Sequence, residues 1–198
     1  MIGAIHRALV SRASATSLFG AAALLATLGT SQTVISGVWD AISHILREPE
    51  HFWSIQHVAV YAGVAAVACS AAIAYALLVW RRESLVPAQR RALALVIAGA
   101  ILQVVAGHAD YVSHEMYGID GLVSWSHQPL EAGLLASALG GALLLRHAGP
   151  RARLLAPVSA MVLVASALWL AFNLFLVANA TMPCLAVYKV FSSGCAVM

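Results

Sequence analysis

GVWDAISH at residues 37–44 and GHADYVSH at residues 107–114 decide how this chain is built. Both octapeptides carry Gly, Asp, Ser and His in the same places, 70 residues apart. The register then continues without a gap, pairing Ser54 with Ser124, His57 with His127, Ala62 with Ala132 and Gly63 with Gly133. Eight of the 27 columns in 37–63 against 107–133 are identical, where average composition gives roughly one or two. The Asp and His matches carry the weight, because the chain has 8 His and 8 Asp plus Glu among 198 residues. Glu50 opposite Asp120 adds an acidic match. A repeated unit of this kind sets the architecture before any single motif is weighed.

Around the repeat the chain is apolar. Its residues are 62% hydrophobic and 10% charged, against roughly 25% charged in soluble domains, and the mean hydropathy is +0.87. Apolar runs lie at about 15–38, 53–80, 92–113, 125–145 and 155–180. Each is near the ~20 residues that cross a bilayer as a helix. The expected fold is therefore all-α, a polytopic membrane protein of about five transmembrane helices in one domain, 1–198. Arg7 and Arg12 before the first run resemble a signal peptide, but the repeat uses the end of that run, so the span is expected to stay. Repeat one covers about 15–80 and repeat two about 92–145, with a fifth helix at about 155–180 and a tail at 181–198. Each copy is a helical hairpin starting on the same side, so the two are parallel repeats related by a pseudo-two-fold axis along the membrane normal.

Orientation follows from the basic residues. Arg7, Arg12, Arg81, Arg82, Arg90, Arg91, Arg146, Arg151 and Arg153 all fall on one side, leaving only Arg47 and Lys189 opposite. The positive-inside rule makes the basic side cytoplasmic. This places the chain in the cell (inner) membrane, with its N-terminus inside and its C-terminus outside. The extracytoplasmic face receives six of the eight His and every acid except Glu83. Basic charge of this kind reflects orientation and attraction to anionic lipid, not nucleic acid. No phosphate-binding loop, dinucleotide fingerprint or Cys-based zinc motif occurs. Cys69, inside a span, reads as a small packing residue. Cys184 and Cys195 share the outward tail, where an oxidising compartment would permit a disulfide without requiring one.

The repeated polar residues suggest a metal. Asp40 and His44 are spaced i, i+4, as are Asp110 and His114, which stacks each pair on one helix face. His57 and His127 open the following helices. Each hairpin can then gather one carboxylate and two imidazoles, a suitable set for copper, zinc or iron, with a fourth position open for water or substrate. Ionisable groups at membrane depth are costly and mark function. Gly37 and Gly107, three residues before each Asp, leave room for a close neighbour. Ser43 and Ser113 are candidate donors that orient ligands. Glu131, one turn after His127, reads as a supporting group or proton carrier; Tyr61 is its repeat partner. His51 and His108 lie close by in sequence without repeat partners and are weaker ligand candidates. The alternative is that Asp and His clasp each hairpin by hydrogen bonds without metal. Trp39, Trp53 and Trp125 suit interfacial anchoring, and Asn173 and Asn179 suit interhelical hydrogen bonding.

The stretch W-D-A-I-S-H at 39–44 with Q-H at 56–57 resembles the C subunit of the copper membrane monooxygenases, the particulate methane and ammonia monooxygenases and related hydrocarbon oxidisers. That subunit is similar in carrying Asp-x3-His and a second His about 13 residues on, the spacing of Asp40, His44 and His57. Asp110, His114 and His127 fall where the family has a neighbouring site, usually led by Asn. The resemblance covers about residues 35–135. It implies copper, an outward-facing site oxidising a small substrate such as ammonia, methane or a short hydrocarbon, and assembly with two partner subunits into trimers. Two rivals remain open on the residues: a metal transporter or metal-delivery protein, and a structural or accessory subunit that binds no metal. Haem held by His pairs is a further option.

Overall fold

The computed structural model describes residues 13–46, 51, 53–117 and 127–178. Among them the chain forms α1 (Ala13–Leu46), α2 (Ile55–Trp80), α3 (Pro87–Tyr117), α4 (His127–Leu145), the single turn α5 (Pro150–Arg153) and α6 (Ala156–Ala178). Five segments are long and apolar enough to cross a membrane: Thr16–Ser43, Ile55–Trp80, Pro87–Val112, His127–Leu145 and Ala156–Phe175. The all-α, five-span expectation is met. The helix ends differ from the apolar runs where local chemistry intervenes. Pro87 opens α3 five residues earlier than the run suggests, since its fixed φ and missing N–H suit a first helical position. Helix α1 continues past the apolar run to Leu46, so Asp40 and His44 stand on its last turns. The linker before α6 is itself partly helical, because Gly149-Pro150 starts the extra turn of α5.

The outer surface of the long helices is apolar. Leu28, Ile35, Ile101, Val105, Met161, Val164, Leu168 and Phe175 all stand exposed on the long helices. In water such faces would be large adhesive patches; in hydrocarbon they are the expected coat. Cys69, read from sequence as a packing residue, is exposed on this coat. Its neighbour Ser70 takes the interface position instead, donating from Oγ to the Ala22 carbonyl at 2.6 Å.

Helices α1 to α4 close into a ring in which each hairpin packs within itself and then against the other, α2 on α3 and α4 on α1. The internal symmetry reaches well beyond the polar motif. Within hairpin one, a Cβ on Gly29 would stand 2.8 Å from the Gly63 carbonyl, and within hairpin two a Cβ on Gly133 would stand 2.8 Å from the Gly99 carbonyl. Residues 29 and 99, like 63 and 133, are 70 apart, so both hairpins use the same backbone-to-backbone crossing. Small residues permit that approach, the usual means of tightening helices where lipid offers no hydrophobic drive between them. Further down, Ser70 on Ala22 corresponds to Gly140 on Ala92, where an added Cβ would meet the Ala92 carbonyl at 3.0 Å.

The interior changes character along the ring axis. At the basic end Phe19, Ala26, Leu77, Leu93, Val96 and Leu144 form a buried apolar cluster. Towards the other end the buried set becomes polar, with Thr27, Thr30, Thr33, Ser36, Gln103 and Ser137. The hydroxyls of Thr30 and Thr33 donate back to carbonyls four residues earlier, at 2.7 and 3.0 Å, and Gln103 Nε2 donates to Ser137 Oγ at 2.9 Å. Helix α6 stands outside the ring, against α4 and α1.

Candidate metal centre

The polar end of the ring carries the repeated Asp and His. Asp40 and Asp110 are buried at 8% and 6% exposure. Each meets the His that opens the next helix of its own hairpin. His57 Nε2 lies 2.9 Å from Asp40 Oδ1, and His127 Nε2 lies 3.2 Å from Asp110 Oδ1. The glycine crossings explain why. They pull α1 onto α2 and α3 onto α4 a few turns away, so the last turn of one helix faces the first turn of its partner. Two hairpins with unlike loop sequences thus reach the same Asp–His geometry.

The donor atoms suit a shared ion. Imidazole nitrogen and carboxylate oxygen bind a zinc-like ion at about 2.0–2.2 Å, so two such donors at a tetrahedral angle stand roughly 3.3 Å apart. The observed 2.9 and 3.2 Å are close to that separation. The same distances also suit a direct Asp–His contact. His44 and His114 stand on the last turns of α1 and α3, but their side chains lie outside the described residues, as does that of Ser113. Among the described residues no three His, Cys, Asp or Glu side chains gather closely enough to hold an ion.

Tyr61 joins the two halves. It lies on α2, one turn beyond His57, and its ring edge faces Gly107 of α3, where an added Cβ would meet Tyr61 Cε1 at 3.4 Å. Its phenol is within electrostatic reach of both Asp110 and Asp40. The glycine expected to admit a neighbour therefore does so at Gly107, while Gly37 has nothing within 4 Å.

Glu131, the repeat partner of Tyr61, turns to a different neighbour. It is buried at 5% exposure. Its Oε1 accepts from Trp169 Nε1 at 3.0 Å and from Asn173 Nδ2, both on α6. His127 lies one turn away, within electrostatic reach. Asn173 is fully buried, as an interhelical hydrogen bonder should be. The fifth span, which has no counterpart in the repeat, is what breaks the equivalence of positions 61 and 131.

The weaker candidates fall outside this arrangement. His51 sits in the α1–α2 connection and pairs through Nδ1 with Ser54 Oγ at 2.8 Å. His108 is exposed, with its ring 6.4 Å from that of Tyr111 on the same helix. Ser43 is buried at 1%. Trp39 and Trp53 are exposed at this end, as interfacial anchors would be. Trp125, Asn179, Cys184 and Cys195 lie outside the described residues. The glycines of spans two and four read from the sequence as helix packing, which Gly63 and Gly133 bear out; sequence reasoning missed their partners Gly29 and Gly99 and the hydrogen bond between Gln103 and Ser137. The offset of 70 already marks Gly29 with Gly99 and Ala22 with Ala92. No protein-family model, curated protein or solved structure matches the chain.

Proposed function

We propose that this multi-pass membrane protein binds metal at the polar end of its ring, with Asp40, His44 and His57 as one ligand set and Asp110, His114 and His127 as the other. The observation that carries the reading is the recurrence of one buried Asp–His pair in both hairpins, at near ligand-to-ligand spacing. The resemblance to the C subunit of copper membrane monooxygenases favours copper, which when bound supplies oxygen-activating chemistry, and a role beside two partner subunits in oxidising a small substrate. The chain's own contribution is then to hold the carboxylates and imidazoles, to place Tyr61 between the two sets, and to keep the site at the polar end of a ring whose other end is filled by apolar side chains. Zinc and iron suit the same donors. A conduit for ions is disfavoured, because the buried cluster of Phe19, Leu77, Leu93 and Leu144 replaces polar side chains at the basic end, where a pathway would need them.

One observation favours a second reading. The direct contacts at 2.9 and 3.2 Å would equally clasp each hairpin without an ion. Metal content separates the two. Protein purified in detergent without chelator is analysed by mass spectrometry beside Asp40→Ala/His44→Ala and Asp110→Ala/His114→Ala. Stepwise loss of copper across the two variants supports the metal reading, and zinc or iron lost in the same pattern keeps the site but removes the copper chemistry. A folded wild type that stays empty after loading overturns the metal reading. The clasp then predicts that Asp110→Ala and His127→Ala are coupled by about 0.5–3 kcal/mol in a double-mutant cycle of stability.

A further inference from the structure

At the opposite end of the molecule, a groove opens between α4 and α6. Its cavity volume is about 500 Å³, within the roughly 300–1,000 Å³ of sites that hold small ligands. Ala142 and Leu145 of α4 form one wall, and Ala156, Ala160 and Leu163 of α6 the other. Positions 156, 160 and 163 recur on one helix face, and two of them are alanine, so the groove is open because its side chains are short. Two arginines, Arg146 and Arg153, stand at its mouth.

Arg153 is held in place. Its Nε donates to the Ala148 carbonyl at 3.0 Å, and its Nη2 donates to the Arg146 carbonyl at 3.1 Å. These bonds fix the guanidinium beside residue 146 and leave the Nη1 edge for a ligand. Neither arginine has a carboxylate partner among the described residues. A pair of guanidiniums above an apolar slot complements a molecule with an anionic oxygen-rich head and a hydrocarbon tail, because guanidinium edges match phosphate oxygens two at a time. The basic ends of both helices lie where a bilayer places its headgroups, and basic pockets between transmembrane helices on this side are read as anionic-lipid sites.

We propose that the groove between the basic ends of α4 and α6 binds one anionic glycerophospholipid, with its phosphate on Arg146 and Arg153 and an acyl chain along Ala142, Ala156, Ala160 and Leu163. The lipid helps to seat α6 against α4 at this end, as the Glu131 cluster does some four turns away. This assignment is independent of any metal at the far end.

Native mass spectrometry of the full chain from detergent tests it, with added phosphatidylglycerol, phosphatidylcholine or inorganic phosphate as probes. One phosphatidylglycerol is expected to stay bound at activation energies that strip phosphatidylcholine, and millimolar phosphate is expected not to displace it. Arg146→Gln with Arg153→Gln should weaken retention roughly thirtyfold. Ala160→Trp, which keeps both charges and fills the slot, should abolish it. Equal retention of the two lipids by the wild type overturns the proposal without reference to any variant. Full retention by Ala160→Trp overturns the groove, leaving only surface charge. Displacement by phosphate overturns the acyl-chain contribution. A dimer that Ala160→Trp dissociates would assign the groove to a second copy of the chain instead.

Discussion

Gly133→Ala and Gly37→Ala add the same methyl group to helices of the same kind, yet the structure predicts opposite results. At Gly133 the new Cβ would stand 2.8 Å from the Gly99 carbonyl oxygen, 2.9 Å from the Gln103 nitrogen and 2.9 Å from Gln103 Cγ. Two of the three neighbours are backbone, which cannot rotate away. Relief requires α3 and α4 to separate by about half an ångström, and a gap of that size forfeits a quarter or more of each contact's dispersion energy along the seam. Overpacking of this sort costs about 1–3 kcal/mol. At Gly37 the same methyl meets nothing within 4 Å. Alanine is favoured over glycine in a helix by about 1 kcal/mol, and this term enters both variants, so it cancels in their difference. Gly133→Ala is therefore expected to be about 1–3 kcal/mol less stable than Gly37→Ala, or roughly 2–12 °C in midpoint at about 2–4 °C per kcal/mol. Thermal unfolding in detergent, followed by tryptophan fluorescence, measures it. Gly63→Ala, at the equivalent crossing of hairpin one, should fall with Gly133→Ala. If Gly63→Ala and Gly133→Ala both unfold at or above the midpoint of Gly37→Ala, the crossings are not tight, and the argument that they set the Asp–His geometry fails.

Two other expectations follow from single contacts. Glu131→Leu removes the acceptor of Trp169 and Asn173 and leaves the buried Asn173 donor unpaired beside the half-buried Trp169 donor, so it should cost about 1–3 kcal/mol for Asn173 and less for Trp169; Glu131→Gln, which keeps a carbonyl oxygen, should recover most of that in the same unfolding assay. Cys69 faces outward from the apolar surface, so in vesicles it should react with a lipid-soluble maleimide and resist a charged, membrane-impermeant one; equal labelling by both would place it in water.

The helices were legible because hydrocarbon demands them: an apolar run of about 20 residues has little choice but to satisfy its backbone internally. The paired hairpins were legible for a different reason. Scarce residues at a fixed offset, Asp40 with Asp110 and His57 with His127, leave little room for coincidence. What could not be read was the neighbour of each side chain. Tyr61 and Glu131 occupy equivalent positions, but one leans on Gly107 and the other bonds to α6, because the fifth span docks on one side only. Cys69 was misplaced for a related reason. In a helix that is apolar all round, hydrophobicity no longer tells the inner face from the outer one. The inner face is marked instead by small and polar residues such as Gly63 and Ser70.

A ring of two parallel hairpins has the symmetry of a dimer, but it is a single molecule. In a true two-fold dimer every substitution is made twice, and each residue meets the same partner in both halves. Joining the halves in one chain removes that bond between copies. Position 61 can carry a phenol while position 131 carries a carboxyl, and a third element can dock against one half alone. The two Asp–His pairs thus begin from one geometry and sit in different surroundings: Tyr61 is within electrostatic reach of both aspartates, whereas Glu131 lies one turn beyond His127. If both pairs bind metal as proposed, they need not bind it with equal strength, and their order of filling is open to adjustment by changes that touch neither pair.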